Sequence, residues 1–168
     1  IGIDWKPSDD LLFYLTWNKG YKSGGYDGST ITSVASFEPF FGESVYAWEA
    51  GLKSVTSGRV ARWNLSYFSY DYQDMQAEAQ RKIPVQGAFE SIRANVGEGK
   101  VWGLESDIWL KPASGLNARF GISYVNSKIS DWHVDGLDSF DPEVVADAIA
   151  DIQAHIGNEI PDAPQLTV

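Results

Sequence analysis

The sequence has no cysteine, one methionine and two histidines in 168 residues. Without thiols there is no disulfide framework, no thiolate nucleophile and no thiolate metal site. With only His133 and His155, a histidine-based triad or metal cluster has little raw material. No apolar run approaches the roughly 18 residues of a transmembrane helix, which leaves a transmembrane barrel open. The opening residues, IGIDWKP, have neither the basic region nor the apolar core of a signal peptide. Lysine and arginine are absent from residues 131–162, which hold nine of the 23 acidic residues. The net charge of −10 is therefore local, and elsewhere 14 acidic residues face 13 basic ones. There is no basic patch with interleaved aromatics, so nucleic acid is not an expected partner.

Aromatics are abundant: 7 Trp, 8 Tyr and 8 Phe make up 14% of the chain. They sit in a strictly alternating pattern, the signature of half-buried strands. Leu11, Phe13, Leu15 and Trp17 alternate with Leu12, Tyr14, Thr16 and Asn18. Tyr46, Trp48, Ala50 and Leu52 alternate with Ala47, Glu49, Gly51 and Lys53; Ala61, Trp63, Leu65 and Tyr67 with Arg62, Asn64 and Ser66. Leu104, Ile108 and Leu110 oppose Glu105, Asp107 and Trp109; Leu116, Ala118, Phe120, Ile122 and Tyr124 oppose Asn117, Arg119, Gly121 and Ser123. A short first strand carries Ile1, Ile3 and Trp5, and a last one starts near Pro164.

The connections alternate as well. KPSDD (6–10), SVTSGR (54–59) and KPASG (111–115) are tight, whereas the segments at 19–43, 74–99 and 130–163 are long. In an up-and-down antiparallel sheet this puts short turns at one end and long loops at the other, the layout of outer-membrane barrels. Trp5, Trp17, Trp48, Trp63, Tyr67 and Trp109 fall near strand ends, where amphipathic rings favour a membrane interface. A soluble β-sandwich or carbohydrate-binding module also alternates, but its strands average about five or six residues. The longer alternating runs here approach the roughly 9–11 residues of a membrane-crossing strand. The expected fold is all-β: an antiparallel up-and-down transmembrane barrel segment.

One segment breaks the pattern. In DPEVVADAIADIQAHIGN (141–158), Asp141 suits an N-cap, Pro142 the first helical position and Gly157 the C′ position, while Val145, Ile149, Ile152 and Ile156 recur at helical spacing. A helix over about 142–156 is expected inside the last long loop. Its acids miss the spacing of a calcium-binding loop, and a solvated acidic face explains them, so no metal or cofactor is expected.

Five stretches, in order, resemble one family. GYKSGGYDG, FGESVYAWEAGLKS, GRVARWNLSYFSYDYQDMQAEA, ANVGEGKVWGLESDIWLKPASGLNARFGISYVNSKISDW and IPDAPQLTV look like the C-terminal half of a TonB-dependent outer-membrane receptor, ferric-siderophore receptors above all. The resemblance implies a 22-stranded barrel closed by an N-terminal plug, of which residues 1–168 would be a partial wall of about six or seven strands. It further implies outer-membrane lipid and lipopolysaccharide around the barrel and a ferric-siderophore-type ligand. TonB would engage through a plug that these residues do not include. An adhesive or carbohydrate-binding β-module without transport is the alternative.

The resemblance also directs attention to particular side chains. In the glycine-rich stretch from Asn18 to Ser29, read as the start of an extracellular loop, Lys19 and Lys22 would attract an anionic chelate. Tyr21 and Tyr26 would offer flat contact area, joined by Tyr70 and Tyr72; packing between loops is the plainer role for each. Glu49, Lys53, Arg62, Glu105, Asp107 and Arg119 lie on polar strand faces, suited to docking the plug or to cross-strand ion pairing. Glu105 and Asp107 share a strand face as two carboxylates of a glycosidase would, but a wet lumen explains them without chemistry, and no enzyme is expected.

Overall fold

The computed structural model describes residues 1–26, 39–56, 58, 60–82, 89–132, 154, 156–159 and 166–167. Six of its strands are seven residues or longer and lie in one sheet: β1 (Gly2–Ser8), β2 (Leu11–Lys22), β5 (Glu43–Val55), β6 (Ala61–Gln73), β9 (Gly97–Ala113) and β10 (Leu116–Trp132). A short strand, β11 (Leu166–Thr167), completes the order β1-β2-β5-β6-β9-β10-β11, antiparallel throughout. Two small hairpins stand apart, β3 (Gly25–Tyr26) with β4 (Pro39–Phe40), and β7 (Gln76–Lys82) with β8 (Phe89–Asn95). Both interrupt long connections at the same end of the sheet. At the other end the turns are tight: Lys6 pairs with Asp9 at 3.2 Å, Thr56 and Ala61 close the next turn, and Gly115 takes φ 79° in the third. That left-handed conformation is one a side chain would resist.

Register turns alternation into two faces. Trp5, Phe13 and Leu52 lie side by side, as do Trp17 and Trp48, and Tyr67, Leu104 and Tyr124. Trp63, Ile108 and Phe120 continue the same face. Ala61, Leu65, Ala118 and Ile122 join them, as the sequence pattern requires. This face stays bare: Trp5, Leu15, Trp63, Leu104, Phe120 and Ile122 are all exposed, Phe120 by 62%. Among the described residues no second sheet covers it, which is incompatible with a sandwich core. An apolar surface of this extent belongs against a partner or a bilayer. Its rings cluster, with Trp5 stacked on Phe13 at 5.4 Å and Tyr67, Trp102 and Tyr124 linked at 6.4 and 5.6 Å. Trp109 does not belong to this belt, contrary to its reading as a strand-end interface ring and in keeping with its alternation against Leu104, Ile108 and Leu110. It sits on the opposite, polar face, between the guanidinium of Arg62 at 5.4 Å and the ammonium of Lys111 at 4.7 Å.

The strands outrun their alternating segments. β9 and β10 have 17 residues each, against the roughly 9–11 that cross a bilayer. Beyond the apolar band the outer face carries exposed Glu98, Lys100 and Lys128, while Gly97, Gly99, Ser127 and Ile129 on the other face are buried, so hydropathy stops alternating while the backbone ladder continues. For the same reason the loop expected from Asn18 begins only after Lys22, because Asn18–Lys22 pair with Glu43–Ala47. Of the expected helix, only Ala154 and Ile156 are described. Gly157 has φ 86°, and the Asn158 side-chain amide donates to Ala154 O at 2.8 Å. The chain returns to the sheet at that point through mutual bonds of Ile129 with Gly157 and Asn158, both 2.9 Å.

Candidate functional site

The polar face is organised by pairs. The Tyr14 hydroxyl donates to Glu49 at 2.6 Å, and the Lys53 ammonium lies 5.2 Å from the centre of the Tyr14 ring. Tyr14 crosses Gly51, its partner on β5, where the missing side chain leaves room for the ring. Two strands further on, Arg119 Nε donates to Asp107 at 2.8 Å. A hollow of about 400 Å³ opens between these groups, lined by Tyr14, Asn64, Ser66, Glu105, Asp107 and Arg119. Five of the six residues expected to face the lumen thus pair with a neighbour or line this hollow, and Arg62, the sixth, stacks on Trp109. His133 and His155 lie outside the described residues.

The tyrosines and lysines expected to meet ligand do not share one face. Lys19 and Tyr21 have the parity of Trp17 and so point outward. The Lys19 ammonium lies 4.8 Å from the centre of the Tyr46 ring, just above Trp17 and Trp48. Lys22, Tyr70 and Tyr72 have the opposite parity. Lys22 pairs with Glu43 at 3.7 Å, and Tyr70 stacks on the buried ring of Phe68 at 5.1 Å. Tyr26 stands exposed on β3. One register line across the outer face runs Lys19, Tyr46, Asp71, Lys100, Lys128. It places three cations immediately above the aromatic belt.

Among the described residues, the most deeply buried polar side chain is one that sequence reasoning did not single out. Asn95 is 1% exposed. It accepts from Phe41 N at 2.6 Å and donates to Phe41 O at 3.1 Å and Asp74 O at 2.7 Å. Gln76 reinforces the junction: its side-chain amide donates to Ser23 O and Phe41 O, and its backbone N–H donates to Glu43. The stretch ANVGEG was legible as a family motif, but nothing in it marks its asparagine as buried.

A single antiparallel sheet with one bare apolar face, one polar face, tight turns at one end and long connections at the other is the wall of an outer-membrane-type barrel. The chain belongs to the TonB-dependent receptor family: residues 1–168 match the family described as TonB dependent receptor-like, beta-barrel. Members of this family reside in the outer membrane of Gram-negative bacteria. Among solved structures, the chain is similar to the ferric yersiniabactin uptake receptor FyuA from Yersinia pestis, with a TM-score of 0.70, 19% identity and 98% of this chain covered. It is also similar to BauA, the ferric preacinetobactin receptor from Acinetobacter baumannii, with a TM-score of 0.61, 15% identity and the same coverage. At these identities the likeness establishes the fold. The chain spans about a fifth of each receptor's length, 21% in both cases.

Proposed function

We propose that this chain is part of the barrel wall of an outer-membrane receptor that imports a ferric siderophore by TonB-coupled active transport. The carrying observation is the sheet itself, apolar and bare on one side, polar and paired on the other, in a chain belonging to this family. A transporter wall needs both faces at once, whereas an adhesive or carbohydrate-binding module needs its apolar face covered. In this reading Glu49, Lys53, Arg62, Glu105, Asp107 and Arg119 face a plug encoded elsewhere in the gene. Tyr70, Tyr72 and Lys22 line the upper mouth, with Tyr26 and Tyr21 on the loop side. Lys19, with Lys100 and Lys128, meets the phosphates of outer-leaflet lipopolysaccharide, an arrangement that suits the anion by simple charge complementarity.

The test uses the complete gene in a strain stripped of its own siderophore receptors. Uptake of radioactive iron from iron(III) yersiniabactin, iron(III) preacinetobactin and tris-catecholate and tris-hydroxamate chelates is followed with and without TonB. TonB-dependent uptake of at least one chelate is expected. If none is carried, but another nutrient such as a cobalamin or a saccharide is, the siderophore assignment fails and the transport assignment stands.

A further inference from the structure

Two long connections leave the same end of the sheet, residues 23–42 between β2 and β5 and residues 74–96 between β6 and β9. Their bases meet at one side chain. Asn95 has two amide hydrogens and a carbonyl oxygen, and all three are engaged: Phe41 N and O in the first connection, Asp74 O in the second. At 1% exposure no water competes for them. Asp74 holds φ 55°, a left-handed conformation uncommon outside glycine, in the turn where its carbonyl meets Asn95. Around this amide, Met75 N bonds to Gly97 O and Val96 N to Met75 O, both at 2.8 Å, and Val96 is 1% exposed. Gln76 adds a second bridge to Phe41 O at 2.8 Å and reaches Ser23 O at 3.1 Å. Glu43 closes the ring by accepting from Gln76 N at 3.0 Å while pairing with Lys22.

We propose that Asn95 is a positioning residue that locks the bases of these two connections, residues 23–26 with 39–42 and 74–82 with 89–96, into one unit, so that a chelate touching either base is held by both. The proposal rests on the receptor reading above. Asn95 itself is too buried to touch a ligand; its effect would act through the loop bases. Loops that move independently must each be ordered when ligand binds, whereas loops held at one shared hinge are ordered together, which lowers the entropic cost of binding. The amide is suited to this because it reads both polarities of one residue's backbone, accepting from Phe41 N and donating to Phe41 O. A carboxylate of the same shape would face two carbonyl oxygens with no hydrogen to give.

The experiment uses the full receptor with spin labels at Pro39→Cys on β4 and Glu78→Cys on β7, both exposed positions. Electron–electron distances are measured alongside binding of iron(III) yersiniabactin and iron(III) preacinetobactin. In the otherwise native protein one narrow distance distribution is expected. Asn95→Asp should broaden it and raise the Kd of whichever chelate binds about tenfold, with the barrel still heat-modifiable on gels. Gln76→Ala, which leaves Asn95 in place, should act in the same direction by about threefold, and it serves as the test if Asn95→Asp fails to assemble. A broadened distance with unchanged Kd, or a weakened Kd with an unchanged distance, overturns the proposal. If the native receptor binds neither chelate, the siderophore reading falls. The labels then still decide the coupling, because an unbroadened distance in both variants overturns it without any ligand.

Discussion

Gly103 on β9 and Gly121 on β10 point to the same polar face, yet they should respond oppositely to the same substitution. A Cβ at Gly103 would lie 2.5 Å from Phe68 Cζ and 2.5 Å from Tyr124 O. The first atom belongs to a ring only 9% exposed, cross-strand from Gly103, and the second to the backbone of β10. Neither yields easily. Overpacking of this kind costs about 1–3 kcal/mol. Displacing Phe68 from its cover also forfeits part of the roughly 1.5–3 kcal/mol that burying such a ring contributes. Gly103→Ala is therefore expected to destabilise the barrel by about 2–4 kcal/mol. A Cβ at Gly121 meets nothing within 4 Å, and its φ is not positive. Gly121→Ala should then be neutral, or stabilising by up to about 1 kcal/mol through the smaller entropy of the unfolded chain. Guanidinium unfolding of the two variants in detergent micelles, each against the native receptor, measures both. Equal midpoints for Gly103→Ala and Gly121→Ala would refute the claim that the Phe68 ring occupies the space a side chain needs at Gly103.

Placing lysine at Ile122, on the bare face, should cost about 2–4 kcal/mol if that face meets the bilayer midplane, while lysine at the neighbouring Ser123 should cost little; refolding into lipid vesicles separates the two. Tyr14→Phe removes the hydroxyl that donates to Glu49 at 2.6 Å and should lower stability by about 1 kcal/mol, read from the shift in denaturant midpoint. Arg119→Ala breaks an ion pair in which Arg119 is 75% exposed, so its effect should stay below about 1 kcal/mol and vanish in high salt. A large, salt-insensitive loss in the full receptor would instead show that Arg119 is engaged by the plug and not merely facing it.

Alternation made the faces legible because a strand's side-chain period is fixed by its backbone. Ala61, Trp63, Leu65 and Phe120, Ile122 could be assigned to one side from sequence because their apolar partners recur every second residue. Strand ends were harder. Lys19, Tyr21 and Lys22 read as loop residues because Lys19 breaks the apolar half of the pattern beside Gly20, yet they pair with Tyr46, Ser44 and Glu43. Trp109 misled in another way. An indole near a strand end suits a membrane interface, but its parity places it with Arg62 and Lys111, and cation–π contact decided its surroundings. Asn95 was out of reach altogether, since its partners are 54 and 21 residues away in sequence. No local rule marks an asparagine as the meeting point of two distant peptides.

The 17-residue length of β9 and β10 has a consequence for how cargo would arrive. At about 3.3 Å per residue each strand is about 56 Å long, and a tilt of about 40° leaves a height of about 43 Å against an apolar band of about 25 Å. Much of the excess stands on the long-loop side, as a parapet whose outer face, with Glu98, Lys100 and Lys128, is exposed. Charges there act through a high-dielectric medium and are screened over about 8 Å at physiological salt. Lys22 on this parapet is already matched by Glu43. An anionic chelate would therefore feel little pull from a distance, and capture would depend on collision with the tyrosine-rich mouth, at a rate that changes little with ionic strength.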